Sequence, residues 1–290
     1  MSDDEYEEAT PEEKLKIATH FILKSPNGEV NDVVSDLQKL LSNDPNILSK
    51  STVERILRKY NTDQLFFAPD ANNDMVVVSD IGEKDSSTYF DPKQNRFLKF
   101  DHHKKTFGAQ VPGERKVDAN TEPYRKSIES SIDKYGDESF TDGKYAAATY
   151  ASPNGLITMI VTAKNLNLRN FWSGGWRSVY TLDVSKKGSK EMKGVIKLNV
   201  HYFEDGNVQL TTEFKSSVPI KVDTPEKTGP AVAAAIDKIE SDFQKNLEEF
   251  YVRMHETTFK AMRRFLPLTG TKMKWKIHGH SLADEVSQFQ

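Results

Sequence analysis

Five consecutive β-type runs between Lys144 and Ile220 constrain the fold more than any other feature. They read KYAAATYAS, LITMIVTAKN, FWSGGWRSVYTLDV, GVIKLNVHYFE and NVQLTTEFKSS. Two of the links, Pro153-Asn154-Gly155 and Glu204-Asp205-Gly206-Asn207, carry the residues that hairpin turns require. Links so short leave no room for a crossover, so neighbouring strands must be antiparallel. In the fourth run Ile196, Leu198, Val200 and Tyr202 share one face, and Lys197, Asn199 and His201 share the other. That alternation predicts a sheet with one covered and one wetter face. The result is a five-stranded antiparallel meander within residues 144–229. Trp172 and Trp176 flank Ser173-Gly174-Gly175, which reads as a bulge with aromatic packing.

A long helix is predicted next, starting at Pro230. Val232, Ile236, Ile239, Phe243, Leu247, Phe250, Met254 and Thr258 recur at three- and four-residue spacing, and Pro267 stops the pattern. Residues 230–266 would make a rod of roughly 54 Å at about 1.5 Å per residue. A rod longer than its sheet is wide is expected to cover a partner's sheet as well as its own. The alternative is a helix packed wholly on its own sheet.

Before the sheet, residues 1–10 form an acidic tail. Thr10-Pro11-Glu12-Glu13 is a helix start, with Thr10 as cap and Glu13 closing a capping box. Apolar faces built on Leu15, Ala18, Phe21 and Ile22, on Val33, Val34, Leu37, Leu40 and Leu41, and on Val53, Ile56, Leu57 and Tyr60 predict a helical bundle over 11–62. LFFAPD, MVVVSD, STYFD and RFLKFD then predict β-hairpins within 63–143. The same region should hold a polar loop at 108–120 and a short helix from about Thr121 to Tyr135.

The chain of 290 residues carries a formal charge of −3, which argues against nucleic acid as the main partner. It has no cysteine, no basic apolar leader and no apolar run of about 20 residues, so an intracellular, cytoplasmic protein is expected. Chemistry-bearing motifs are missing. There is no phosphate-binding glycine loop and no nucleophile elbow, and His255-Glu256 has Phe259 where a zinc-protease motif needs its second histidine. His102-His103 reads as an ordinary surface pair, and His278 and His280 as no more than an adventitious metal pair. We therefore expect neither enzyme activity nor a cofactor.

Charge is concentrated near the C-terminus. Lys260, Arg263, Arg264, Lys272, Lys274 and Lys276 fall between Thr257 and Lys276 with no Asp or Glu among them. Lys260 and Arg264 lie i, i+4 on the last turns of the rod, while Met262 and Phe265 point the other way. Beyond Pro267 the period becomes two, with Lys272, Lys274 and Lys276 alternating with Met273, Trp275 and Ile277. Cations near a helix C-terminus gain roughly 0.3–1 kcal/mol from the helix dipole, which accounts for Arg263 and Arg264 but not for the lysines after the proline. An apolar strip holding outward cations accounts for the whole pattern, marks residues 267–290 as a binding tail, and calls for an acidic target: protein, membrane phosphoinositide or nucleic acid.

Four stretches, VHYFEDGNVQL (200–210), FKAMRRFLPLTGTKMKW (259–275), NFWSGGWRS (170–178) and RFLKFDH (96–102), resemble the α subunits of the F-actin capping protein family. The similarity runs over essentially the whole chain. It implies an α+β fold with an N-terminal helical bundle, short β-hairpins, and a five-stranded antiparallel meander covered by one long helix and a terminal amphipathic segment. It also implies an obligate heterodimer whose homologous β subunit extends the sheet, and calcium-independent binding of filament barbed ends in the actin cytoskeleton. The actin-binding residues it points to are Lys260, Arg263, Arg264, Lys272, Lys274 and Trp275. Of these, Lys260, Arg264 and Lys272 also correspond to the positions that bind phosphatidylinositol 4,5-bisphosphate. Inhibitory proteins and proteins carrying capping-protein-interaction motifs are implied as regulators. Gly270 departs from the family, which usually has another basic residue there. The rival readings are a peripheral phosphoinositide-binding module with no filament role, and an enzyme whose site follows no known motif.

Overall fold

Thr10 opens α1 (Pro11–Leu23) as its sequence requires: its hydroxyl accepts from Glu13 N–H at 3.3 Å, and the Glu13 carboxylate accepts from Thr10 N–H at 2.9 Å. The computed structural model describes residues 9–113, 115, 118–141, 144–203 and 208–253. With α2 (Val30–Leu40) and α3 (Lys50–Asp63), α1 encloses a core of Ala18, Ile22, Val34, Ile56, Leu57 and Tyr60. Phe21 and Leu40, read as core positions, are 55% and 79% exposed. A three-helix bundle covers only the inner part of each apolar stripe.

A β1 (Phe67–Pro69) and β2 (Met75–Val77) ribbon follows, then a four-stranded antiparallel sheet. Its strands, in order, are β3 (Glu83–Asp85), β4 (Thr88–Asp91), β5 (Arg96–Asp101) and β6 (Thr106–Val111). Arg96, at the start of β5, ties this region together. Its Nη2 donates to Asp70 at 2.7 Å and its Nε to Asp91 at 3.0 Å.

His102 is no surface residue. It is 3% exposed, edge-on to the Tyr89 and Phe100 rings. Asn61 of α3 donates to Nδ1 (3.2 Å), so Nε2 carries the proton and donates to the Ser86 carbonyl at 3.1 Å. An apolar pocket formed by residues distant in sequence makes it a core histidine, whereas His103 stays exposed. Burial holds the His102 pKa below its ordinary value. The unfolded chain takes up this proton near pH 6.5 and the folded chain resists it, so His102 supports stability above that pH and withdraws it as pH falls towards the folded value. In urea titrations between pH 7 and 5, the stability of a His102→Gln variant should fall less steeply than that of the parent, by up to about one proton's worth of slope. Equal slopes would contradict this assignment.

α4 (Glu122–Ser139) runs past Gly136, where the helix was expected to stop. Gly136 stays helical, and its missing side chain leaves room for the Tyr145 ring. The helix packs on β7 through its buried Ile128 and Ile132.

The predicted meander is present. β7 (Lys144–Ala151), β8 (Leu156–Asn167), β9 (Trp172–Asp183), β10 (Gly188–Tyr202) and β11 (Val208–Val222) lie in the order β11-β10-β9-β8-β7, all antiparallel. β10 and β11 are longer than their apolar runs suggested, because Gly188–Lys193 pairs with Ser217–Val222 despite its polar sequence. No bulge interrupts β9. Its register against both β8 and β10 is continuous through Ser173, Gly174 and Gly175. The glycine at 175 answers a packing demand instead, since a Cβ there would collide with the Asn27 side chain of the α1–α2 loop.

α5 (Pro225–Arg253) begins five residues before Pro230, which sits inside it. The Thr224 carbonyl accepts from Lys227 and Thr228 to start the helix. Tyr124 and Ser127 of α4 donate to the Asp223 and Pro225 carbonyls, both at 2.6 Å. The chain divides into two compact units, Met1–Lys238 and Ile239–Gln290. In the first, Val232 and Ile236 of α5 are fully buried, as their stripe predicts. In the second, Phe250, Tyr251 and Val252 are 50%, 42% and 58% exposed.

Candidate assembly surface

Among the described residues β11 pairs only with β10, so its outer edge presents fifteen residues of backbone with no strand against it. The side chains beside that edge are sorted by the pleat. On one face Val200 stands opposite Leu210, Tyr202 opposite Val208, and Ile196 opposite Phe214. Val200, Tyr202, Val208 and Phe214 are all exposed, Val208 at 63%. An apolar patch running along a strand edge that no described strand pairs is the pattern of a surface built to be covered, because exposed apolar area and an open ladder both favour burial.

The opposite face is polar, and the sequence placed it correctly but read it as simply wetter. His201 is only 6% exposed. Its Nδ1 donates to the Glu29 carboxylate at 2.8 Å, at the start of α2. Arg177 on β9 is equally enclosed: Nη1 donates to the Asp63 carbonyl at 2.7 Å, and Nη2 to Asn199. Asn199 in turn donates to Thr211 at 2.9 Å. The polar face is therefore where the helical bundle docks. Only Arg177, Asn199 and His201, set beside the ordinary Lys197–Glu213 pair of a solvated face, signal this in the sequence.

The predicted site residues Lys260, Arg263, Arg264, Lys272, Lys274 and Trp275 lie outside the described residues. Among the described residues there is no cluster of three or more potential metal ligands, and no helix is long and apolar enough to cross a membrane.

A family model described as F-actin capping protein alpha subunit matches residues 18–285, nearly the entire chain. The chain belongs to this family. The F-actin-capping protein subunit alpha of Caenorhabditis elegans is 32% identical over 274 residues, covering 92% of this chain and 95% of the relative. That of Dictyostelium discoideum is 31% identical over 283 residues, covering 97% and 100%. The solved structure of a homodimeric actin capping protein alpha subunit from Plasmodium berghei superposes with a TM-score of 0.74 at 22% identity, over 89% of this chain and 98% of that one. At that identity it establishes the shared fold. The matched span includes both the β10–β11 hairpin and the basic segment, so the family relationship takes in the two features that mark this chain off from an ordinary α+β domain.

Proposed function

We propose that this chain is the α subunit of a heterodimer that binds the barbed ends of actin filaments and blocks subunit addition and loss there. The open β11 edge, with Val200, Tyr202, Val208 and Phe214 exposed beside it, is the observation that carries the proposal. A β subunit of like fold would continue the sheet across that edge and cover the patch. The length of α5 agrees. Its 29 described residues span about 43 Å at about 1.5 Å each, against about 24 Å for five strands spaced about 4.8 Å apart.

Filament contact falls to the basic segment, through Lys260, Arg263, Arg264, Lys272, Lys274 and Trp275. Actin supplies the acidic complement. Phosphatidylinositol 4,5-bisphosphate would compete for Lys260, Arg264 and Lys272, and regulatory proteins would act on the heterodimer. The family resemblance implies that this binding is independent of calcium. The protein would work in the cytoplasm, at the actin cytoskeleton.

Co-expression with candidate β subunits followed by a seeded actin elongation assay tests the proposal. A stoichiometric second chain of similar size should co-purify, and the complex should stop barbed-end growth equally with calcium or with a chelator. A chain that purifies as a stable monomer and binds phosphoinositide vesicles without affecting elongation would establish the peripheral lipid-binding reading instead. A stable self-dimer would overturn the assignment of a β subunit.

A further inference from the structure

A cavity of about 240 Å³ opens between the α1–α2 loop, the end of α3, β1 and the five-stranded sheet. Phe66, Phe67 and Leu166 form much of its wall, Lys105, Lys164 and Arg177 also line it, and no Asp or Glu does. None of these cations forms an ion pair with any described residue. Lys164 Nζ donates to the Phe67 carbonyl at 2.9 Å and stands 4.2 Å from the Phe66 ring centre and 4.3 Å from that of Phe67. Lys105 Nζ lies 5.9 Å from the Phe66 ring. Arg177 is 8% exposed, and both of its terminal nitrogens donate to neutral oxygens. Its Nε is buried without a partner, as is Oε1 of the neighbouring Gln64.

Elsewhere this protein treats enclosed cations differently. Arg96 meets Asp70 and Asp91, and Arg125 meets Glu122 and Glu129. Burying a charge without a counter-charge is unfavourable, and carbonyl oxygens and ring faces offset that only in part. The protonation equilibria carry the same signature. Burial, then the charges of Lys105 and Lys144, push the Lys164 amine down to about 8. Burial also lowers Lys105, against a smaller opposing influence from Asp32, and it lowers Arg177. Asp32 and Asp63 act on Lys105 and Arg177 only from beyond ion-pair distance, so three desolvated cations face one cavity whose lining holds no carboxylate.

We propose that this cavity binds a small organic anion, a phosphate or carboxylate head on a short apolar body. Lys105 and Lys164 would take the head, with Arg177 contributing its charge from the wall, and Phe66 and Leu166 the body. The volume is below the roughly 300–1,000 Å³ of clefts for drug-sized ligands, which restricts the guest to a small one. The site is separate from the basic C-terminal segment and stands or falls independently of filament capping.

The probe is phenyl phosphate, titrated calorimetrically at constant ionic strength against the full chain with any co-purifying partner, carrying Lys260→Glu and Arg264→Glu so that the basic segment contributes little. Saturable 1:1 binding is expected, with inorganic phosphate about tenfold weaker because it lacks the apolar body. Lys164→Met should weaken phenyl phosphate binding by about tenfold and leave the ligand-free urea midpoint unchanged or raised, since it removes an uncompensated charge. Lys105→Met, in a turn, provides a second variant should the first misfold. Absence of saturable heat, equal affinity for both phosphates, or parental binding by the lysine variants would overturn the proposal.

Discussion

Capping by a heterodimer carrying Lys260→Glu and Arg264→Glu should slow by about a hundredfold or more, while assembly with the β subunit is unchanged. Steering by complementary charge raises association rates by about 10 to 10³ over the neutral case, and close interfacial charge pairs couple by roughly 1.5–7 kcal/mol. Reversing two such charges replaces attraction by repulsion, so the loss falls mainly on the association rate. Seeded elongation read against heterodimer concentration gives that rate directly. The parent should also cap more slowly as salt rises towards 0.5 M, since exposed charges are screened beyond about 10 Å at 0.1 M. A flat salt response, or wild-type capping by the double variant, would remove the basic segment from the mechanism. The β10–β11 edge would then remain as an assembly surface without an assigned filament contact.

Arg96→Met is expected to damage the first unit severely. The guanidinium is 12% exposed and the side chains of Asp70 and Asp91 only 3% and 4%. Those carboxylates keep some backbone donors: Asp70 accepts from Asn72 and Asp74 N–H, and Asp91 from Lys93 N–H. Their enclosed charges would still lose their only described cation of close approach. Removing one member of a buried ionic group costs about 3–5 kcal/mol, and in a unit of this size about 2–4 °C of Tm accompanies each kcal/mol. A Tm loss of about 6–20 °C follows. Adding Asp70→Asn and Asp91→Asn to the same variant should recover part of it, because neutral amides tolerate the site without a cation. A loss below about 2 °C for the single variant would show that solvent already screens the trio.

Much of this was legible in the sequence wherever the deciding interaction is local. The Thr10–Glu13 capping box is a four-residue event, and the meander follows from period-two patterning joined by turn chemistry. Legibility failed where a distant segment decided the outcome. His102 looked like half of a surface pair because Asn61, Ser86 and Tyr89, which enclose it, are scattered through the preceding sequence. Gly175 looked like a bulge, and only Asn27, nearly 150 residues earlier, explains its lack of a side chain. The start of α5 was misplaced because its apolar stripe begins only at Val232, although Thr224-Pro225-Glu226 repeats the Thr-Pro-Glu start of α1. The polar face of β10 was read correctly as polar, but Glu29 and Asp63 turn it into a docking face. The basic segment remains a reading of its pattern and of the family to which the chain belongs.

The bare rim of β11 has a consequence for supply. A copy made in excess of its companion carries an unsatisfied strand and a greasy flank into a crowded cell, where other exposed strands can add to it. Such orphans are natural substrates for chaperones and proteolysis. If the heterodimer proposed above is the working form, its abundance is set by whichever of the two polypeptides is scarcer, and raising the output of this one alone would increase turnover without adding capped filaments.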